Sequence, residues 1–182
     1  MKNFLILSSF ISMLLICSCG SGQDSKKNAV SKNEVRTAIG VIKIDTTFTK
    51  FTVATTIEDK ILYSLRGQAD VNNAKPTTGF YIKPLKNKDY EEAKSYLQDF
   101  SLQFGEQEWI KKLENEKHVV LNVNNQKAYL ITYQAVTTEG SKIYFTQGVV
   151  TNGANAILFL GSDFENGKYS DKFISTFETI EM

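Results

Sequence analysis

The chain has 182 residues and nearly balanced charge, with 21 Lys and Arg against 20 Asp and Glu. This length is sufficient for one domain with a hydrophobic core and too short for two. Lys2 is the only charged residue before Cys19, so the chain from Cys19 onward is formally neutral. A neutral domain lacks the basic surface on which nucleic-acid binding and polybasic membrane binding depend.

The cysteines and the histidine limit the chemistry available to the folded part. Cys17 and Cys19 are the only cysteines, and His118 is the only histidine. This excludes a disulfide framework and most Cys or His metal sites. The glycines are scattered singly, with no phosphate-binding glycine loop and no GxSxG nucleophile motif. We therefore expect no metal ion, no cofactor and no enzymatic activity.

The first 18 residues have the pattern of a secretory signal peptide. Lys2 precedes an apolar run from Phe4 to Ile16, which is too short to span a bilayer but fits a signal-peptide core. The sequence Ile16-Cys17-Ser18-Cys19 that follows resembles the bacterial lipobox, in which a small residue precedes the modified cysteine. It predicts cleavage after Ser18 and acylation of Cys19, including an N-linked chain such as palmitate. The alternatives are an uncleaved membrane anchor and a signal peptide without lipid.

Residues 19–36 carry this lipid and are predicted to be a flexible tether, because residues 20–33 are small, polar and almost free of apolar side chains. Gly20, not Asp, follows Cys19, which resembles the outer-membrane sorting signal of enteric bacteria. The tether also has no run of acidic residues of the kind that would resemble the surface-export signal of some Gram-negative groups. We expect a lipid-anchored envelope protein at the outer membrane, facing the periplasm.

Residues 37–182 are predicted to form a single domain that begins with strands. The β-branched or alternating runs that predict them are Ile39–Ile44, Phe51–Ile57, Ile61–Leu65 and Phe80–Ile82. The last run is predicted to end near Pro84. Loops are predicted around Gly67 and Pro76.

The clearest helix follows these strands. Asp89 is a good N-cap residue, and Glu92 three places later completes a capping-box pattern. Apolar side chains recur on one face at helical spacing through Phe104, and Gly105 is well placed as the first residue beyond the helix. The spacing predicts a helix from Tyr90 to Phe104.

The second half of the chain predicts an antiparallel meander and a closing helix. Residues 106–116 are ambiguous between a short helix and an edge strand. The strands predicted after them are Val119–Val123, Lys127–Val136, Ile143–Val150 and Ala156–Leu160, separated by turn sequences. Tyr169, Phe173 and Phe177 then recur at helical spacing. The predicted fold class is α+β, an antiparallel β-sheet flanked by helices.

The stretch from Asp89 to Ile180 resembles the PsbP-like and DcrB-like family of small α/β/α sandwich domains. The resemblance rests on the helix from Tyr90 to Phe104 and on the strand that leads into the sequence Asn124-Asn125-Gln126-Lys127-Ala128-Tyr129. It rests also on the meander and on the closing segment from Phe173 to Ile180. It implies a secreted or lipid-anchored domain with a binding or accessory role, and it assigns no activity.

Three aromatic residues are candidates for a binding surface: Trp109, Tyr133 and Tyr144. Trp109 follows Gly105 and a polar stretch, where an aromatic side chain can be half exposed and anchor a partner; the alternative is that it plugs the edge of the core. A concave apolar patch around all three would favour small-ligand or peptide binding, as in a transport accessory or an immunity protein.

The charged candidates have simpler interpretations. His118 lacks the other histidines or cysteines that a metal site would need, so we interpret it as a residue at the surface or at a strand edge. The carboxylate pairs that a hydrolase would require are expected on solvated surfaces, and they are Glu91–Glu92, Glu106–Glu108 and Glu114–Glu116. Asp163, Glu165 and Asn166 lack the spacing of a calcium loop and predict a polar connection.

These observations favour a non-enzymatic, lipid-anchored envelope protein that binds another envelope component or assists an assembly. Its expected partners are the membrane, through the lipid on Cys19, and an envelope protein. Small-ligand or peptide binding is the second hypothesis, and a carboxylate hydrolase is the third.

Overall fold

The computed structural model describes residues 34–51, 61–65 and 78–182. The predicted signal peptide, Cys19 and the first part of the tether lie outside the described residues. So do most of the predicted Phe51–Ile57 strand and the predicted loops around Gly67 and Pro76. No helix in the described part of the chain is both long and apolar enough to cross a membrane.

The described residues form strands and helices in an α+β order. The elements are β1 (Glu34–Arg36), β2 (Val41–Lys43), β3 (Phe48–Phe51), β4 (Ile61–Leu65), β5 (Gly79–Leu85), α1 (Tyr90–Gly105), β6 (Ile110–Val123), β7 (Gln126–Thr137), β8 (Lys142–Thr151), β9 (Ala156–Asp163) and α2 (Ser170–Phe177). The predicted helices and the meander strands are confirmed. β1 includes residues 34–36, which the sequence prediction placed in the tether.

Seven of the strands form one antiparallel sheet in the order β3-β4-β5-β9-β8-β7-β6. The chain therefore enters at one edge, leaves through α1, and returns as a four-stranded meander from the opposite edge. β1 and β2 form a separate antiparallel pair. The predicted α+β class with an antiparallel sheet and flanking helices is confirmed.

Each face of the large sheet carries its own hydrophobic core. On one face, the buried residues of α1 form a core with Tyr133, Phe145 and Leu158 of the sheet. α2 and β2 cover the other face, where Phe159 and Phe173 are fully buried. Fully burying one such side chain stabilises the fold by roughly 1.5–3 kcal/mol. Covering both faces explains why the meander strands carry apolar residues on both sides.

The capping box at the start of α1 forms as predicted. The Asp89 carboxylate accepts the backbone N–H of Glu92 at 2.9 Å, and the Glu92 carboxylate accepts that of Asp89 at 3.2 Å. The prediction that Gly105 lies beyond the helix is wrong, because Gly105 is the last residue of α1 and Glu106 is its C-cap. A Cβ at Gly105 would lie 2.9 Å from Leu113 Cδ1, so a larger residue there would require the Leu113 side chain to shift.

Two strands are longer than the sequence predicted. β6 begins at Ile110, so residues 110–116 of the ambiguous stretch 106–116 belong to an edge strand. β5 continues through Pro84 to Leu85. Among the described residues, β5 pairs with β4 as far as Ile82 and with β9 as far as Leu85.

Candidate functional site

The three aromatic candidates do not form one surface. Tyr133 and Phe145 are paired across β7 and β8 and belong to the core under α1. Because side chains alternate along a strand, Tyr144 points to the opposite face of the sheet, where its ring packs against Gly167. The concave patch that would have united Trp109, Tyr133 and Tyr144 is therefore absent from the described part of the structure.

Trp109 fills the end of the core under α1. It is half-buried and packs edge-on against Phe104, with ring centroids 5.3 Å apart. Its indole Nε1 is buried and has no hydrogen-bond partner among the described residues. The Trp109 side chain thus fills the edge of the core. This is the alternative interpretation from the sequence, in place of an exposed anchor.

Tyr133 is only 2% exposed and belongs to a buried polar network between the sheet and α1. Gln147 Nε2 donates to Tyr133 Oη at 2.9 Å, and Ser101 Oγ donates to Gln147 Oε1 at 2.9 Å. Burial raises the pKa of Tyr133 well above its ordinary value, so its hydroxyl stays protonated. These contacts fix α1 on the sheet and leave Tyr133 no access to a ligand.

A second polar network lies at the edge of the sheet, and the sequence did not predict it. His118 Nδ1 is 2.5 Å from Tyr129 Oη, and His118 Nε2 is 2.7 Å from Glu116 Oε1. Gln98 Nε2 on α1 donates to the same Tyr129 Oη at 3.1 Å. His118 was predicted to be a surface or strand-edge residue, and it lies on edge strand β6 with 41% of its side chain exposed.

One proton arrangement satisfies all four groups of this network. Burial raises the pKa of Tyr129, and the hydrogen bond from Gln98 opposes that rise. The protonated phenol can donate to His118 Nδ1 while Nε2–H of the neutral imidazole donates to Glu116. The Tyr129 oxygen is thereby used within the protein, and the network ties α1 and β6 to β7.

The carboxylate candidates are engaged in local contacts or exposed. Glu92 caps α1, and Glu91 lies 3.5 Å from Lys127 Nζ. Glu114 lies 2.5 Å from Lys112 Nζ, and that hydrogen bond lowers the pKa of its carboxyl group. Glu106 and Glu108 are exposed.

Asp163 stabilises the connection to α2. It is fully buried, and its two carboxylate oxygens accept the backbone N–H groups of Glu165 and Tyr169, each at 2.6 Å. This is the polar connection expected from the sequence. In the described part of the chain, no group of three or more His, Cys, Asp or Glu side chains is arranged to hold a metal ion.

Solved structures share this architecture. The solution structure of cyanobacterial PsbP (CyanoP) from Synechocystis sp. PCC 6803 superposes with a TM-score of 0.58 at 12% identity, covering 92% of this chain and 98% of that one. The chain has a PsbP-like fold. The Ran-binding protein Mog1p from Saccharomyces cerevisiae shares the fold at a TM-score of 0.50 and 10% identity, covering 81% of this chain and 93% of that one.

The similarity to solved structures extends to the fold alone. No family model matches the chain, and no curated protein matches it. Unrelated functions recur on one fold, and identity near 10% carries no site residues from one protein to another. A function for this chain has to be argued from its own residues.

Proposed function

We propose that the chain is a lipid-anchored bacterial envelope protein that binds another envelope component and does not catalyse a reaction. The observation that carries this proposal is the sequence Ile16-Cys17-Ser18-Cys19 directly after an apolar signal core. A diacylglyceryl group and an N-acyl chain on Cys19 exceed the two hydrophobic signals that stable anchoring requires. Gly20 supports placement at the outer membrane, facing the periplasm.

A binding or accessory role is also supported by how the protein uses its polar side chains. Tyr129 binds Gln98 of α1 and His118 of the edge strand, and Tyr133 is buried inside the core. These are the groups from which acid–base or nucleophilic chemistry would have been built. The alternative of small-ligand or peptide binding loses its main support, because Trp109 and Tyr144 lie on different faces of the sheet.

The anchor is tested by the mass of the N-terminal peptide of the protein purified from membranes. We expect the wild-type peptide to begin at Cys19 and to carry three acyl chains. Cys19→Ala should lose both the lipid and membrane retention. Cys17→Ala is the matched control and should retain both, because the small residue before Cys19 is unchanged. A wild-type peptide that still contains residues 1–18 would overturn the proposal.

The binding role is tested by crosslinking in intact cells and affinity capture of the lipidated protein. We expect one or two stoichiometric envelope partners, lost in Cys19→Ala and retained in Cys17→Ala. A turnover activity that depends on Glu114 or Glu116 would contradict the non-enzymatic assignment.

A further inference from the structure

Strand β6 forms one edge of the large sheet in the described part of the chain. It is the last strand in the sheet order, and among the described residues it pairs only with β7. Its second half, from Lys117 to Val123, forms an uninterrupted ladder with β7. The outer N–H and C=O groups of such a strand are a template for a further strand.

The first half of β6 is protected against such pairing. The register shifts between Glu114 and Lys117, and Asn115 lies in the left-handed region with φ 56°. Ion pairs from Lys112 and Lys142 to Glu114 add charge to this part of the edge. Bulges and charged side chains are the usual means of blocking an edge strand.

The second half of β6 keeps one continuous register, has its charged residue Lys117 at its start, and exposes apolar side chains beyond it. Val119 is 47% exposed and Val120 is 63% exposed. Val119 points to the face covered by α2, opposite Leu130, and Val120 points to the face covered by α1, opposite Tyr129. An open edge with apolar residues on both faces can bury them by adding a strand.

We propose that the occupant of this edge is a second copy of the chain, with the two β6 strands paired antiparallel about a twofold axis at Val120. In this register Val120 faces its own copy and Val119 faces Leu121, so each exposed valine meets an aliphatic residue. His118 faces Asn122, and Lys117 faces Val123. No like charges oppose each other in this register. Directly opposed like charges would destabilise the pairing.

The twofold axis also places the two copies of β1 on one side of the dimer. Antiparallel edge pairing requires an axis perpendicular to the sheet, so equivalent faces of the two copies lie on the same side. β1, at Glu34, belongs to the face covered by α2, because its Val35 packs into that core. The two tethers thus begin on the same side and can reach one membrane. This argument rests on the proposed anchor, whereas the edge pairing does not.

The interface is short, so its strength depends on confinement. Seven residues a side is few compared with roughly 20–30 a side in an ordinary stable interface. Two copies held on one membrane have a high effective concentration, which favours a weak contact. We therefore expect dimers in membranes that dissociate on dilution in detergent.

The test is disulfide crosslinking of Val120→Cys in membranes that contain the full-length protein. Directly opposite residues in an antiparallel pair have Cβ atoms about 5 Å apart, within reach of a disulfide. Asn122→Cys is the matched control, because it lies on the same strand and face but four residues from its own copy. We expect about tenfold more disulfide dimer for Val120→Cys, since Cα atoms more than about 7 Å apart cannot be bridged.

A second pair of variants tests the edge without a cysteine at the axis. Val120→Lys places two positive charges across the axis and should abolish chemical crosslinking to dimer. Leu102→Lys changes an equally exposed residue on α1, 66% exposed, and should leave the dimer intact. Equal dimer yields in these two variants, or equal disulfide yields at residues 120 and 122, would overturn the proposal. A Val120→Cys adduct with a different protein would assign the edge to that protein instead.

Failure of the anchor is distinguishable from failure of the edge. If Cys19 is not lipidated, its free thiol is an additional site for disulfide formation. The comparison of residues 120 and 122 is then made in a Cys17→Ala, Cys19→Ala background. A preference for residue 120 in that background supports edge pairing without the anchor.

Discussion

The ring of Phe177 packs directly against the backbone of Gly148, so closely that a Cβ atom at Gly148 would lie 2.5 Å from Phe177 Cε2. Phe177 is fully buried on α2, and Gly148 lies on β8 in the middle of the sheet. Gly161 on β9 accommodates Phe173 in the same way, at 2.8 Å. The two glycines allow a short helix to pack closely on the sheet.

Gly148→Ala is expected to destabilise the fold by about 1–3 kcal/mol, because the added methyl group overpacks a closed core. Denaturant unfolding measures the change. Combining it with Phe177→Leu should cost less than the sum of the two single variants, since the smaller side chain makes room for the methyl group. Strict additivity would show that the two residues do not constrain each other.

Asp89→Ala is expected to lower the free energy of unfolding by about 1 kcal/mol, because it removes the side-chain acceptor at the start of α1. Asp99→Ala is the control, since it removes the same charge from an exposed position inside the helix. Chemical denaturation of both variants provides the comparison. An equal loss in the two would mean that the capping box does not contribute to stability.

The hydrogen bond between Tyr129 and His118 is expected to couple the two residues energetically. In a double-mutant cycle with Tyr129→Phe and His118→Ala, we expect a coupling free energy of about 1 kcal/mol. Tyr129 is only 3% exposed. Removing its hydroxyl group in Tyr129→Phe also removes the acceptor of the Gln98 hydrogen bond. Unfolding of the four proteins at one pH measures the cycle, and a coupling of zero would show that the contact does not contribute.

Asp45 is expected to make stability depend on pH in the acidic range. Hydrogen bonds from the Thr47 hydroxyl and the Thr47 backbone N–H, together with Lys172, lower the pKa of Asp45. A carboxyl group with a lowered folded-state pKa stabilises the fold above its unfolded pKa, near 3.9, and loses that contribution as pH falls through the folded value.

Asp45→Asn should therefore be less stable than wild type at pH 7, and the difference should shrink as pH falls below about 4. Unfolding curves between pH 2 and 7 measure this, with Asp99→Asn as the control for loss of a carboxylate on the exposed side of α1. A stability difference for Asp45→Asn that is constant with pH would contradict the assignment.

Local signals in the sequence predicted most of the elements. The capping box at Asp89 and the turns of the meander depend on residues a few positions apart, and both form in the structure. The beginning of β6 was ambiguous because residues 111–118 are mostly polar and exposed. An edge strand with a bulge lacks the alternation that marks a half-buried strand.

Long-range relationships could not be predicted in the same way. The pairing of β5 with β9, and the bridge from Val41 to Glu181, join residues far apart in the chain. The expected grouping of three aromatic residues on one surface depended on strand register in the same way. Tyr133 and Tyr144 share a surface only in some strand registers, and the observed pairing of Tyr133 with Phe145 separates them. The hydrogen bond from Gln98 to Tyr129 depends on where α1 packs, which no local pattern encodes.

The position of β9 between β5 and β8 also determines the order in which the sheet is completed. β6 to β9 are consecutive hairpins and can pair as soon as each turn closes, whereas β5 receives its inner partner only when residues 156–163 are present. A chain that emerges N-terminus first therefore exposes the inner edge of β5 until nearly all of it has emerged. Such non-local pairing slows folding, so a chaperone that binds unpaired strands would act on β5 for longer than on the meander.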